Sequence, residues 1–433
     1  MNKIFYLFIL IIFITSCSLN KNSSFWTSEK IQELEDKKFE KIFNDYEALD
    51  QELNTNLNVN LSSKITDDKT SKQFHNNDGR VNFDGTLKKL SKYKFSKIKN
   101  FYQFEPTISF NNDNVIFFDN KGTILQFDNR SKLVWKKNYY SKLEKKLNPI
   151  LQFANDGNFL IVADSIAKYF MVDLKSGNLI WSKNSLAPFN SQIKIYKDRF
   201  FIVDFTNTLR CFSLKNGEEI WSIKTDTSLI RSQKKLSIVI IDNTIYFNNS
   251  IGDISAADIN SGELLWQLPT QSNLIYESAF SLETSDIITD KNYLYFSNNN
   301  NQFYSVDIKT GNFKWQNKVN SNLRPTLIEN YLFSISIEGY LIIIDKITGN
   351  IIKVTDIFNN FNPKKRNQIK PTGFVVGLKN IYLSTNKGRL LVIDIKSGKT
   401  IKTLKIDSDK ISRPFVLNAN LFLIKDDAII KLN

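Results

Sequence analysis

One pattern recurs seven times along the chain and constrains its fold more than any other feature. In its complete form it is an apolar strand ending in Asp, a short turn with Gly, and a second strand ending in Trp. The seven copies end at Trp135, Trp181, Trp221, Trp266, Trp315, Lys353 and Lys402. These ends are about 40–50 residues apart, which suits a propeller blade of four short strands. Apolar runs bounded by Asn, Asp and Gly lie upstream and supply the other two strands of each blade.

The turn and the tryptophan of this motif have separate physical roles. In the DLKSG, DINSG, DIKTG and DIKSG copies, the Asp side chain can accept hydrogen bonds from backbone N–H groups ahead of it, and Gly supplies a positive φ. The tryptophans are predicted to dock between neighbouring blades, burying the ring while the indole N–H finds a carbonyl. Calcium binding by these Asp residues is not expected, because each stands alone with no second carboxylate at ligand spacing.

The two ends of the repeat region predict how the ring closes. The C-terminus supplies three strands, at 414–417, 421–425 and 428–432, and then stops where an outer strand would follow. Residues 86–98 form a strand-like segment with no inner strands of their own. Pairing both termini in one blade removes exposed sheet edges. We therefore predict an all-β fold, an eight-bladed β-propeller over residues 81–433, whose last blade is closed by N- and C-terminal strands.

The N-terminal 80 residues differ in character from the repeats. Residues 4–14 are apolar but too few to span a bilayer, which predicts a lipoprotein signal peptide over 1–16 and lipidation of Cys17. An ordinary secretory signal with Cys17 near its cleavage site is the alternative. Residues 17–80 are predicted to be a lipid-anchored tether with an amphipathic helix at about 28–53. Residues 54–80 are rich in Asn, Ser, Asp, Lys and Thr, which predicts a flexible linker.

The composition narrows the classes of function. The 433 residues include one His and two Cys, which are too few for a multi-ligand zinc site and weaken the case for a Ser/His or Cys/His nucleophile. We expect no enzyme activity, no metal, no cofactor and no small-molecule substrate. The formal net charge is +14, with basic segments at 143–149, 232–236 and 362–370. They indicate either an anionic partner, such as lipid head groups, lipopolysaccharide or an acidic protein domain, or a solvated surface. Nucleic acid is not expected for an exported protein.

The repeat resembles the tryptophan-docking repeat of quinoprotein-type propellers, which two families share. The PQQ-dependent dehydrogenases carry a vicinal Cys pair and a calcium cluster, and this sequence has no adjacent Cys residues. The other is the BamB family of outer-membrane protein assembly factors, and the blade count, the shared last blade and Cys17 all favour it. The resemblance implies a non-catalytic scaffold of the barrel-assembly machinery. It would be lipid-anchored at the periplasmic face of the outer membrane and bind the barrel-inserting subunit.

The same resemblance implies where the partner binds. In that family an apolar-x-apolar-Arg stretch after one Trp strand contacts the partner, and Leu229, Ile230 and Arg231 match it. An Asp-x-Asp stretch follows the next Trp strand, where Glu283 matches the second acid and Ser281 stands at the first. For Leu229 and Ile230 the alternative is simple packing at the entry to a strand.

Two other functions stay open at this level, and the sequence departs from the family pattern at two blades. A lipoprotein propeller can bind a periplasmic ligand or polysaccharide, and a degenerate PQQ-dependent dehydrogenase would keep the fold. Lys353 and Lys402 stand where Trp is expected in blades six and seven. Docking between blades is therefore expected to be weaker or different at these two positions.

Overall fold

Short strands rich in Ile, Leu, Phe and Val follow one another through the described part of the chain, and all but the first pair with neighbours in sequence. The computed structural model describes residues 51–62, 76–227, 232–270 and 282–433. The strands form eight antiparallel sheets of four. In each sheet the middle two strands are buried on both faces, because each blade packs between two others.

The first strand, β1 (Lys89–Lys94), belongs to the last blade, and the other strands follow in blade order. Blade 1 contains β2 (Ser109–Asn111), β3 (Asn114–Phe118), β4 (Ile124–Phe127) and β5 (Leu133–Lys137). Blade 2 contains β6 (Leu151–Asn155), β7 (Phe159–Asp164), β8 (Lys168–Asp173) and β9 (Leu179–Asn184). Blade 3 contains β10 (Lys194–Tyr196), β11 (Arg199–Val203), β12 (Thr208–Ser213) and β13 (Glu219–Lys224). Blade 4 contains β14 (Ile238–Ile241), β15 (Thr244–Asn248), β16 (Ile254–Asp258) and β17 (Leu264–Leu268).

The second half of the ring repeats this order. Blade 5 contains β18 (Ile288–Thr289), β19 (Tyr293–Asn298), β20 (Gln302–Asp307) and β21 (Phe313–Asn317). Blade 6 contains β22 (Thr326–Ile328), β23 (Tyr331–Ile335), β24 (Tyr340–Asp345) and β25 (Ile351–Asp356). Blade 7 contains β26 (Pro371–Val376), β27 (Asn380–Thr385), β28 (Arg389–Asp394) and β29 (Thr400–Lys405). Blade 8 contains β30 (Phe415–Leu417), β31 (Asn420–Lys425), β32 (Ala428–Leu432) and β1.

Short helical turns occupy three of the loops that lead into a blade. Two are 3₁₀-helices, Phe101–Gln103 and Glu144–Leu147, and one is an α-helix, Pro363–Arg366. No helix within the described ranges has the length and apolar character needed to cross a bilayer.

The eighth blade closes the ring with strands from both ends of the chain. β1 pairs antiparallel with β32, and Tyr93 faces Ile429 across the pair. The Tyr93 ring is fully buried, 5.7 Å from Phe127 of blade 1 and 6.3 Å from Phe422 of blade 8. The prediction of eight blades with a shared last blade is therefore confirmed.

Five blade-to-blade seams share one contact. The indole N–H of Trp135 donates to the carbonyl of Leu174 at 3.0 Å, and those of Trp181, Trp266 and Trp315 make the same bond to the next blade. Each ring lies against the turn glycine of that blade; the glycines, all with positive φ, are Gly177, Gly217, Gly262, Gly311 and Gly349. Trp221 stacks on Gly262 in the same way, but its Nε1 makes no hydrogen bond with the described residues.

At the seam between blades 6 and 7 the N-terminal segment takes the place of a tryptophan. Lys353 is fully buried, and its Nζ donates to the carbonyls of Thr55 at 3.1 Å and Leu57 at 2.6 Å. Leu53 pairs with Val354 through two backbone hydrogen bonds. Val59 is buried in the core between these blades. Residues 53–59 thus cover the lysine and extend blade 6 at its outer edge.

Parts of the segment predicted to be a linker contact the propeller. Of residues 54–80, the described stretches 54–62 and 76–80 both hydrogen-bond to blades. These contacts were not evident from the Asn-rich composition. The predicted signal peptide 1–16, Cys17 and residues 28–50 of the predicted helix lie outside the described residues.

The tryptophan–glycine contact makes a stability prediction. In Gly311→Ala the new Cβ would lie 2.7 Å from Trp266 Cδ2, in addition to the positive φ of 72°. Gly157→Ala is the control, because its φ is also positive but it has open space around it. We expect Gly157→Ala to lose about 1–2 kcal/mol for backbone strain, and Gly311→Ala to lose about 1–3 kcal/mol more from overpacking. Denaturant unfolding measures both, and equal losses would contradict the contact.

The buried lysine makes a second prediction. Lys353→Met keeps the apolar stem but removes both hydrogen bonds to the tether. We expect amide hydrogen exchange at residues 53–59 to speed up roughly tenfold, since two hydrogen bonds contribute about 1–3 kcal/mol. Lys402→Met is the matched control, because Lys402 occupies the same motif position in blade 7 but is exposed. Unchanged exchange in Lys353→Met would show that the lysine does not hold the tether.

Candidate functional site

The loops that join the outer strand of one blade to the inner strand of the next all open on one face. This follows from the topology, because every blade has the same strand order and direction. We call this face the loop rim. The basic segments 143–149, 232–236 and 362–370 all lie in such loops, entering blades 2, 4 and 7. The basic segments therefore share one face, although they belong to different blades.

Charged side chains gather where these loops reach the inner strands. Asp286, Arg324 and Arg413 each lie two residues before an inner strand, and Lys194 is the first residue of β10. Inner strands surround the central channel of a propeller, so these side chains meet at its mouth. We call the whole group the channel-mouth cluster; it comprises Asp78, Glu105, Lys194, Lys234, Lys235, Asp286, Arg324, Lys410 and Arg413.

Asp78 lies at the centre of the cluster. Its Oδ2 accepts from Arg413 Nη1 at 2.9 Å and lies 3.3 Å from Arg324 Nε. Arg324 Nη1 also lies 3.3 Å from Asp286 Oδ2, which accepts a hydrogen bond from Gln192 Nε2 at 2.9 Å. Burial raises the pKa of Asp286, but the positive charges of Arg324 and the lysines outweigh it and lower the pKa overall. Two carboxylates thus bind the two arginines at the mouth.

The residues around Asp78 run along the inner edges of several blades. Asn76 Nδ2 donates to the Ile240 carbonyl of blade 4 at 2.7 Å, and the Thr289 N–H of blade 5 donates to the Asn76 carbonyl at 3.3 Å. Asn77 makes a side-chain hydrogen bond to each backbone group of Leu327 in blade 6. The Val81 N–H donates to Val376 in blade 7 at 2.9 Å. The segment satisfies backbone groups that an inner strand edge otherwise leaves open.

Lysines connect loops from different blades across the mouth. Lys234, in the loop into blade 4, pairs with Glu105 of the loop into blade 1 at 3.2 Å and donates to the Asn322 carbonyl in the loop into blade 6. Lys410, in the loop into blade 8, donates to the carbonyls of Tyr102 and Phe104 at 3.2 and 3.0 Å. Hydrogen bonds and an ion pair therefore connect loops of different blades across the mouth.

Cations outnumber carboxylates in the channel-mouth cluster, and burial lowers the pKa of several of its lysines. Burial lowers the pKa of Lys194 to about 7, and the positive charge of Arg324 acts in the same direction. Burial also lowers the pKa of Lys235 and of Lys410. Of these three lysines, Lys194 is therefore the one whose charge responds to pH near neutrality.

Among the partner-contact residues that the resemblance implies, only Glu283 is described. It is half-buried at the rim, and its N–H donates to Asn299 Oδ1 at 2.8 Å. Its carboxylate accepts a hydrogen bond from Asn322, whose carbonyl accepts from Lys234. Leu229, Ile230 and Arg231 lie outside the described residues, between Thr227 and Ser232. The Ser232 N–H donates to Ser250 of blade 4 at 3.0 Å, which fixes the described end of that loop at the mouth.

Sequence reasoning identified Lys234 and Lys235 as part of a basic segment but missed the rest of the cluster. Asp286, Arg324 and Arg413 are single charges, each two residues before an inner strand. That repeated position is the signal from which they could have been found. Asp78 lies in the Asn-rich stretch that predicts a linker, and no repeated position in the sequence marks it.

The cavity that adjoins the channel-mouth cluster at Lys234 and Lys235 is small. The cavity beside Lys234 and Lys235 has a volume of about 10 Å³, whereas small-molecule sites measure roughly 300–1,000 Å³. The described ranges contain no group of three or more His, Cys, Asp or Glu side chains placed to hold a metal ion.

The chain matches one family model in sequence and is similar to solved propeller structures. Residues 120–355, more than half of the chain, match the family model described as outer membrane protein assembly factor BamB. The structure of BamB from Moraxella catarrhalis is similar at a TM-score of 0.63 and 14% identity, covering 79% of this chain and 100% of that one. No curated protein matches the chain in sequence.

Propellers with other functions share the fold alone. The quinohemoprotein alcohol dehydrogenase from Comamonas testosteroni is similar at a TM-score of 0.59 and 10% identity, covering 82% of this chain and 78% of that one. The C-terminal WD40 domain of Sif2 has a TM-score of 0.59 at 12% identity, covering 82% of this chain and 99% of that one.

The buried lysine of β10 makes a pH prediction. Because the pKa of Lys194 falls from 10.5 to about 7 on folding, the unfolded chain binds a proton that the folded protein lacks between these values. The free energy of unfolding therefore rises with pH in this window, by up to about 1.4 kcal/mol per pH unit for one proton. We expect Lys194→Met to lose this rise, as measured by denaturant unfolding from pH 7 to 10. The exposed Lys175→Met is the control, and a variant with the parent's slope would contradict the assignment.

Proposed function

Because the chain belongs to the family described as outer membrane protein assembly factor BamB, we propose that it is a non-catalytic scaffold of outer-membrane β-barrel assembly. The observation that carries this proposal is the family match, which runs from the turn after β3 to the end of β25 and so covers most of blades 1 to 6. The proposed partner is the periplasmic part of the barrel-inserting subunit.

The loops into blades 4 and 5 are the proposed contact region. They carry Leu229, Ile230, Arg231 and Glu283, which match the family's contact stretches. The described ends of these loops support a binding role because they are fixed to the scaffold: Ser232 bonds to blade 4, and Glu283 bonds to Asn299 and Asn322. Loops held on a rigid scaffold commonly carry binding residues, and Arg is favoured as an interface anchor.

Cys17 is the proposed attachment point. Signal peptidase cleavage after residue 16 and acylation of Cys17 would place the protein on the periplasmic face of the outer membrane. Several acyl chains give stable anchoring where one alone is marginal. The stretch 18–50 would then separate the anchor from the residues that contact blade 6.

An enzyme of the quinoprotein type is not supported by the channel mouth. Similarity to a quinohemoprotein alcohol dehydrogenase is at 10% identity and concerns the fold. At the mouth, Asp78 binds Arg324 and Arg413, and Lys234 reaches Glu105. A scaffold uses this arrangement directly, because ion pairs between loops hold the rim in one shape.

Affinity capture tests the proposal. The tagged, lipidated protein is extracted from its own envelope in mild detergent, and co-purifying proteins are identified by mass spectrometry. We expect the barrel-inserting subunit, and a loss of at least tenfold in Arg231→Glu and in Glu283→Lys, since truncated charged contacts at interfaces cost about 2–5 kcal/mol. Arg130→Glu is the control, because Arg130 is exposed in a turn of blade 1 on the opposite face.

Two results would contradict this proposal in different ways. Recovery of the subunit at parental levels with both variants would remove the contact assignment but keep the scaffold role. Recovery of sugar-processing or redox proteins in its place would move the function to ligand binding or to an enzyme.

A further inference from the structure

Four large apolar side chains protrude from the loop rim on one side of the ring. They are the most exposed large hydrophobic residues among those described: Leu186 is 96% exposed, Leu143 74%, Tyr102 66% and Leu147 63%. Tyr102 lies in the loop into blade 1, Leu143 and Leu147 in the loop into blade 2, and Leu186 in the loop into blade 3. Folding does not account for them, because exposed leucines add nothing to the core.

Hydrogen bonds join these three loops into one surface. Asn120 Oδ1 accepts from the Lys99 N–H at 2.9 Å, and Asn120 Nδ2 donates to Asn148 Oδ1 at 2.7 Å, which connects the loops into blades 1 and 2. The Ser165 N–H donates to the Ile150 carbonyl at 3.1 Å, and the Ser185 N–H donates to the Ala167 carbonyl at 2.7 Å. The turn at 165–167 therefore connects the loops into blades 2 and 3.

The charges around the leucines are predominantly positive. Lys142, Lys145 and Lys146 lie in and beside the 3₁₀-helix Glu144–Leu147. The acid in this stretch, Glu144, is drawn inward: its carboxylate accepts from the Ser141 N–H at 2.6 Å and pairs with Lys168 at 3.1 Å. The outer surface thus presents leucines and lysines together. We call Tyr102, Leu143, Leu147, Leu186 and these three lysines the leucine–lysine patch.

We propose that the leucine–lysine patch docks on an anionic phospholipid surface. Exposed leucines bury their side chains at the boundary between head groups and acyl chains, and lysines near an anionic surface each add about a fivefold preference. Tyr is enriched at the same level of a bilayer. Charge complementarity selects this occupant over a protein, because the centres of protein interfaces are depleted in Lys.

The patch and the proposed contact region occupy different parts of the loop rim. The patch belongs to blades 1 to 3, whereas Glu283 and Ser232 belong to the loops into blades 5 and 4. Membrane docking does not depend on the assembly role. A failure of one proposal would leave the other standing.

Site-specific quenching tests the docking. In Leu186→Cys of the full, lipidated chain, an environment-sensitive fluorophore is attached at position 186 and the protein is placed in vesicles containing brominated phosphatidylglycerol. Cys211 is a suitable silent thiol, because it is buried and burial raises its pKa to about 12. Ile347→Cys is the matched control, since Ile347 is 59% exposed in a turn on the opposite face. Labelling of the parent chain gives the background.

The expected result is strong quenching at position 186 and little at 347. Neutralising the patch in Lys142→Gln, Lys145→Gln and Lys146→Gln should lower the ratio of docked to free protein about fivefold per lysine, and high salt should do the same. Leu143→Ser with Leu147→Ser should lower that ratio by at least tenfold. Capture of the barrel-inserting subunit should be unchanged in these variants.

Three outcomes would overturn the proposal. Equal quenching at positions 186 and 347, or none at either, would show that this face does not select the bilayer. Equal quenching in vesicles of brominated phosphatidylcholine, with no anionic lipid, would remove the electrostatic part of the docking. Shielding of position 186 only in native envelopes, and never in vesicles, would identify the occupant as a protein.

Discussion

The contact between a tryptophan ring and the turn glycine of the next blade sets the geometry on which the rest of the ring depends. A four-stranded blade has two apolar faces and is not stable alone, so each needs a neighbour at a fixed distance. The ring fills the place of a side chain: a Cβ on Gly262 would lie 2.6 Å from Trp221 Cδ2. The Asp of the turn holds the glycine in position, as Asp258 does by accepting from the Asn260 and Ser261 N–H groups. Ring, glycine and Asp act as one coupling between blades.

The seams between blades 6 and 7 and between blades 7 and 8 lack a tryptophan, and the N-terminal segment contacts both. Between blades 6 and 7, Lys353 takes the place of the ring and residues 53–59 cover it. Between blades 7 and 8, Lys402 is exposed, and the buried Phe83 packs at 4.9 Å on Tyr382 in a core shared with Leu421 of blade 8. The segment before β1 therefore supplies packing contacts at two seams where no tryptophan is present.

Local periodicity explains what the sequence could predict. The motif spacing gave eight blades, and the strands 414–417, 421–425 and 428–432 lie within a residue of β30, β31 and β32. The channel-mouth cluster could not be predicted in this way, because Asp78 and Arg413 are 335 positions apart and Asp78 lies outside the repeats. The tether contacts were missed for a related reason. Leu53 is the last apolar residue of the stripe that predicts the helix, yet it pairs with Val354 as a strand does. Val59 is an isolated apolar residue, and the backbone hydrogen bonds of both are invisible in composition.

The ion pairs at the channel mouth are better explained by the shape of the rim than by stability. Removing two charges from water costs several kcal/mol each, and their attraction inside a protein often only offsets that cost. What such pairs do supply is one preferred arrangement of the loops that carry them. Lys234 joins the loop into blade 4 to Glu105 of the loop into blade 1, and so joins the proposed protein-contact side of the rim to the leucine–lysine patch. A scaffold that presents one surface to a protein and another to a membrane needs the angle between them to be fixed, and a buried, cross-linked mouth is a direct way to fix it.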